Sequence, residues 1–289
     1  MELNIINPAA GKGASIKAAE ASACRNHYFT KLVGDARVHV KELLSEGDEA
    51  ILHVYGGDGT LNEVISGIMD ANAADRVKVS IHPVGTGNDF HRNLIGITSP
   101  VKVDLIRCND RYAVNMLNIG FDCRVVARMA DYKKLPLVKG TGAYILGVAD
   151  VLMVNRMETM NIDILTADRR ELHFDGEFLL TAIGNGAYCG GGFKAAAGAD
   201  ISDGILDMVL VHSMKRREFV SLIGVYKSGA HYSPEDMKIH DRYSHKLEYF
   251  RCRKISISGF DQICLDGEVE QMKSAEISVL PQVITFIPS

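Results

Sequence analysis

Glycine beside a carboxylate and a hydroxyl is a combination from which proteins build phosphate sites, and the chain carries it as Gly56-Gly57-Asp58-Gly59-Thr60. Without Cβ atoms the backbone can come close to phosphate oxygens. A helix starting there would add free N–H groups and the positive end of its dipole. Two standard fingerprints come near and then fail. A dinucleotide G-x-G-x-x-G starting at Gly57 requires glycine at 62, where Asn62 stands; a P-loop requires glycine at 6 and Ser or Thr at 13, where Ile6 and Gly13 stand. Alone, the cluster fits a tight strand-to-helix turn equally well. Two further loops accompany it, Pro83-Val84-Gly85-Thr86-Gly87-Asn88-Asp89-Phe90 and Asn7-Pro8-Ala9-Ala10-Gly11-Lys12-Gly13.

The elements around these loops put them together. Leu3–Ile6, Ile51–Tyr55 and Val77–His82 read as strands, and Tyr28-Phe29 belongs to a further one. Helical patterns alternate with them: Ala14–Ala23, then Ala36, Val40, Leu43 and Leu44 on one face, then Leu61, Val64, Ile65, Ile68 and Met69. Alternating strands and helices imply βαβ units and a parallel sheet. All three glycine-bearing loops then leave carboxyl ends of strands, where open α/β sheets bind ligands.

After about residue 100 the grammar changes. Val101–Leu105, a turn at Asn109-Asp110 and Tyr112–Ile119 read as a hairpin. Extended runs follow at Asn161–Leu165, Glu171–Phe174, Phe178–Ile183, Leu206–Val211, Lys254–Ser258 and Gln262–Leu265, with helical stretches near Arg124–Val154 and Arg217–Tyr226. The chain's 289 residues are long for one core. We expect an α/β, Rossmann-like nucleotide-binding domain over 1–120 and a β-rich sandwich domain over 121–279, with a tail from about 280 to 289 free to return to the first.

The ordered set Asn7-Pro8, Gly56-Gly57-Asp58-Gly59-Thr60-Leu61-Asn62-Glu63 and Gly85-Thr86-Gly87-Asn88-Asp89-Phe90 resembles the diacylglycerol-kinase catalytic domain. That superfamily includes bacterial diacylglycerol kinases, related bacterial lipid kinases and sphingosine kinases. The GGDGT loop is shared with NAD kinases and phosphofructokinases; the GTxND loop is much more specific to lipid kinases. The resemblance continues through Asn118–Asp122, Asn185–Lys194, Ala199–Asp207 and Leu265–Glu268, although the proline that members often carry near Ala197 is missing.

It implies an ATP- and Mg²⁺-dependent kinase acting on a lipid hydroxyl, foremost diacylglycerol. Phosphoryl transfer needs a phosphate cradle, a divalent metal and a group that deprotonates or orients the acceptor. Gly56, Gly57, Asp58, Gly59, Thr60, Leu61 and Asn62 would form the cradle, joined by Asn7, Thr30, Thr86 and Asn88. Asp58 would meet phosphate-bound Mg²⁺ directly or through water, or else cap a helix. Glu268 is implied as general base and Asp266 as its metal- or hydroxyl-orienting partner, while Asp266-Gly267 is also a hairpin signal. A structural Mg²⁺ is implied at Asp203, with Asp200 and Ile205 contributing carbonyls; a plain turn is the alternative there too.

A chain with 32 Lys+Arg against 36 Asp+Glu lacks the basic excess of a nucleic-acid binder. The segment Met1–Ile5 lacks a basic and then apolar leader, and Ala143–Val154 is too short to span a bilayer. We therefore expect a cytoplasmic protein with no transmembrane segment that meets its lipid peripherally, with a homodimer as a family-level expectation. Lys133–Lys139 and Lys215–Phe219 mix cations with apolar residues as a membrane-facing or a plain surface segment would. Six scattered cysteines without CxxC argue against zinc or a disulfide framework. The competing reading is an NAD kinase, which shares GGDGT and has a late element faintly like Gly140–Tyr144, but leaves Gly85–Phe90 unexplained.

Overall fold

The structure, a computed structural model, describes residues 1–85, 87–132 (side chains to 128), 150–151 and 157–289. The first half alternates β1 (Glu2–Ile6), α1 (Ala14–Glu20), β2 (His27–Phe29), α2 (Asp35–Leu43), β3 (Ala50–Gly56), α3 (Asp58–Asp70), β4 (Val77–Pro83) and α4 (Asp89–Leu94). The four strands are parallel, in the order β4-β3-β1-β2. On one face of this sheet Ile5, Leu52, Val54 and Val79 pack against Val40 and Leu44, and against Leu61, Val64, Ile65 and Ile68 of α3. Each such aliphatic side chain contributes about 1.5–3 kcal/mol on burial. Helices α2 and α3 touch at Gly67, where a Cβ would lie 2.6 Å from the Arg37 carbonyl oxygen.

The second half contains β5 (Val101–Cys108), β6 (Arg111–Ala113), β7 (Met116–Gly120), α5 (Phe121–Tyr132), β8 (Glu158–Thr166), β9 (Glu171–Gly184) and β10 (Leu206–His212). It continues with α6 (Arg216–Ser228), the short pair β11 (Tyr232–Ser233) and β12 (Lys238–Ile239), β13 (Leu247–Ser258), β14 (Gln262–Leu265), β15 (Glu268–Gln271) and β16 (Ser274–Phe286). The antiparallel ladder runs β15-β14-β7-β9-β10-β13-β16. Strands β9 and β13 are long enough to serve three partners each. Their outer halves pair with β8 and their inner halves with β10, so the sheet curls around Met160, Ile162, Ile164, Phe178, Met208 and Ile255. This is the β-sandwich-like half the alternating runs lead one to expect.

Three features depart from the sequence reading. Glu171–Phe174 and Phe178–Ile183 are one strand. Strand β16 carries no clear alternation in sequence, and Pro281 interrupts it; its first part pairs with β13, while Thr285 and Phe286 pair in parallel with Lys78 and Val79 of β4. The expected hairpin closes only as far as Ala113. Residues Val114 to Met116 turn their N–H groups toward Asp266, and β7 then pairs with β9 and β14 instead. The changeover between the two cores falls inside β5: Val103 and Leu105 belong to the first, Ile106 and Cys108 to the second.

Candidate active site

The loops after β1, β3 and β4 meet at one sheet edge. Val84 N–H and Gly85 N–H both donate to the Gly56 carbonyl, at 3.1 and 3.3 Å. A Cβ on Gly85 would stand 2.6 Å from Gly57 Cα, so this approach of two backbones requires glycine. A Cβ on Gly11, at φ 59°, would stand equally close to the Val84 carbonyl oxygen. Asn7 Nδ2 donates to Thr60 Oγ1 at 3.0 Å, tying the first loop to the first turn of α3. That first turn leaves the N–H groups of Asp58, Gly59 and Thr60 without a carbonyl one turn back, since Leu61 N–H is the one that bonds Gly57. Free N–H groups at a 13-residue helix start, beside backbone bare of Cβ atoms, are what a phosphate chain requires.

Two carboxylates border this edge. Asp58 does not cap its own helix. Its two oxygens accept the N–H groups of Asp89 and Phe90, each at 3.1 Å, and so fix the start of α4. Asp89 accepts Gly191 N–H at 2.8 Å through Oδ2. Its other oxygen is buried without a hydrogen-bond partner among the described residues, with Arg92 Nε 3.5 Å away. Burial pushes the Asp89 carboxyl above the usual carboxylate range, and the neighbouring Asp58 charge adds to this against the pull of Gly191 N–H and Arg92. Sequence reasoning passed over Asp89 as a site residue, although it closes the Gly85–Phe90 motif.

The late acidic segment arrives here from the other half. Asp266 (φ 47°) and Gly267 (φ 97°) form the two-residue turn of the β14–β15 hairpin, the geometry for which Asp-Gly is suited. Turn and site are therefore one structure. Asp266 accepts four hydrogen bonds: from Asn62 Nδ2 (2.9 Å), Val114 N–H (2.7 Å), Asn115 N–H (3.0 Å) and Met116 N–H (2.9 Å). Burial raises its carboxyl pKa, and these four donors oppose the rise. With both oxygens filled, Asp266 departs from the expected metal- or hydroxyl-orienting role. Glu268, two residues on, is exposed, and its Oε1 lies 3.3 Å from where a Cβ on Gly59 would stand. The second half thus folds back over the start of α3.

The other expected contacts divide. Gly56, Gly57, Gly59 and Thr60 line the edge. Thr30 directly follows β2 on the same side, its N–H donating to the Ile6 carbonyl. Asn88, at φ 52°, donates to the Gly85 carbonyl at 2.9 Å and holds the loop's shape. Leu61 departs from the expectation, because its side chain is in the core. Asn62 does too: its amide is spent on Asp266 and the Tyr112 carbonyl. Thr86, Lys133–Lys139 and Gly140–Tyr144 lie outside the described residues. In Lys215–Phe219, Phe219 is buried against Phe121, so it is not available to insert into lipid. A separate cavity of about 560 Å³ opens at the far end of the β14–β15 hairpin, lined in part by Gly120, Cys123, Gln262 and Lys273, away from Glu268.

At the turn Asp200–Ile205 the carboxylates are engaged within the fold. Asp200 Oδ1 accepts Ser202 N–H and Oγ–H. Asp203 accepts Ile205 N–H through Oδ1 and pairs with Arg251 through Oδ2. The carbonyls of Ile201 and Ser202 accept Asp104 N–H and Gln282 Nε2. Among the described residues no group of three His, Cys, Asp or Glu side chains converges on a possible metal position.

Two family models match the chain in succession: the diacylglycerol kinase catalytic domain over residues 3–119, and the YegS C-terminal NAD kinase β-sandwich-like domain over 115–288. The chain belongs to the diacylglycerol kinase and YegS-like lipid kinase family. It is 29% identical to a diacylglycerol kinase of Staphylococcus carnosus, over 91% of this chain and 87% of that one. It is 33% identical to a "Probable lipid kinase YegS-like" of Serratia proteamaculans, over 62% and 60% of the two chains. A diacylglycerol kinase crystal structure from Bacillus anthracis superposes with a TM-score of 0.67 at 22% identity, covering 99% of this chain and 96% of that one. No described helix is long and apolar enough to cross a membrane.

Proposed function

We propose that this lipid kinase transfers the γ-phosphate of ATP to a lipid hydroxyl, with diacylglycerol as acceptor and phosphatidic acid as product. The observation that carries the reading is the Glu268 carboxylate, held by a tight turn above Gly59 at the start of α3. ATP phosphates sit against the Gly56–Gly59 backbone and the free N–H groups of α3. Asp89, whose Oδ1 has no hydrogen-bond partner among the described residues, would hold phosphate-bound Mg²⁺, with Asp58 reaching it through water. When bound, the ion neutralises charge on the transferring group. Glu268 accepts the hydroxyl proton as the lipid oxygen bonds to the γ-phosphorus and the bond from phosphorus to the ADP oxygen breaks. Asp266 and Asn62 position this base: they lock its hairpin onto α3 and the 114–116 segment.

The lipid assignment rests on similarity to diacylglycerol kinases together with the Gly85–Phe90 loop. Incubating the purified chain with labelled ATP and Mg²⁺ against diacylglycerol, monoacylglycerol, sphingosine or phosphatidylglycerol in mixed micelles, and against NAD in solution, tests it. Labelled phosphatidic acid is the expected product. Labelled NADP, or label in no lipid, would overturn the assignment.

A further inference from the structure

The family resemblance implies a structural Mg²⁺ at Asp200–Ile205, and its one side-chain ligand, Asp203, has both oxygens engaged within the fold. We propose that the guanidinium of Arg251 is a built-in replacement for that cation, so that the turn folds without a divalent ion. The position of Arg251 is set by the sheet. It lies directly opposite Asp207 in the β10–β13 ladder, and from there its Nη2 reaches Asp203 Oδ2 while its Nε lies 3.9 Å from Asp207 Oδ1. One cation therefore serves two carboxylates.

Asp207 is the second carboxylate within reach of the guanidinium. It is fully buried, and although Tyr249 Oη–H donates to its Oδ1 at 2.8 Å, Oδ2 has no hydrogen-bond partner among the described residues. A hard divalent ion would have to gather oxygen ligands. The expected side-chain ligand is spent: Asp203 Oδ1 accepts Ile205 N–H and Oδ2 is paired with Arg251. A planar guanidinium on a strand needs fewer ligands from the turn and is always charged. The turn joins both halves: Ile201 packs into the first core, and Asp104 accepts N–H groups from Gly204 and Gln282. Whatever neutralises Asp203 therefore helps hold the halves together.

Thermal unfolding of the full chain without nucleotide, in EDTA and in millimolar Mg²⁺, tests this. Wild type is expected to melt at the same temperature in both. Arg251→Met is expected to melt about 5 °C lower in EDTA and to recover part of that loss in Mg²⁺. A wild-type midpoint that falls in EDTA and returns with Mg²⁺ would overturn the proposal, as would an Arg251→Met midpoint equal to wild type in EDTA. If Arg251→Met does not fold, Mn²⁺ binding to wild type and to Asp203→Asn, followed by electron paramagnetic resonance, decides. Equal binding by the two supports the proposal, and a Mn²⁺ ion present in wild type and lost in Asp203→Asn overturns it.

Discussion

Two Asp-Gly turns in the second half, at Asp203-Gly204 and Asp266-Gly267, share a dipeptide but place their carboxylates in different surroundings. Asp266 is buried and meets four N–H donors from two segments, one from Asn62 of α3 and three from the Val114–Met116 stretch. Asp203 is partly exposed and meets one N–H and one guanidinium. The first carboxylate locks two halves of the molecule around the phosphate edge. The second neutralises a charge and shapes a loop. The dipeptide decides the turn, and the donors around it decide what the turn is for.

The comparison can be broken by isosteric substitution. Asp266→Asn should give the largest loss of stability, about 3 kcal/mol or more, because an amide would set an NH₂ against backbone N–H groups that now have an acceptor. Urea unfolding measures it; a loss below about 1 kcal/mol would mean that the four bonds do not act as a lock.

Asp207 sharpens the contrast through pH. Burial raises its pKa to about 7. Between pH 4 and 7 the folded chain thus holds a proton that the unfolded chain releases, so this group's contribution to stability falls as pH rises through that window and levels off above it. In Asp207→Asn that slope should disappear, a difference from wild type on the order of 3 kcal/mol across the window. The comparison must be between the two proteins, because His82, held down to about 4 by burial, slopes the opposite way. Identical pH profiles would contradict the assignment. Asp203→Asn should have the smallest effect, about 1 kcal/mol at neutral pH, because Arg251 keeps Asp207 as a partner.

Much of the first half was legible in the sequence because its signals are local. The α2 and α3 stripes have helical spacing, and the three loops follow apolar runs, so their meeting at one edge follows from parallel pairing alone. The second half was harder to read. β16 is interrupted by Pro281 and serves both halves, and β7 leaves its expected hairpin because of a carboxylate 150 residues away. Asn62 and Leu61 looked like cradle residues from the motif alone. They lie within the motif, but tertiary contacts turn one toward Asp266 and the other into the core. Arg251 carried no signal, since its meaning depends on the β10–β13 register.

The central claim is that Glu268, carried over α3 by the Asp266 turn, takes the acceptor's proton. Glu268→Gln keeps the size and hydrogen-bonding reach of the side chain and removes the base. Steady-state turnover of diacylglycerol, with ATP binding measured separately by calorimetry, is the direct test. The expected result is kcat lower by about a hundredfold or more, with ATP affinity within about threefold of wild type. Turnover equal to wild type would contradict the claim and remove Glu268 from the reaction.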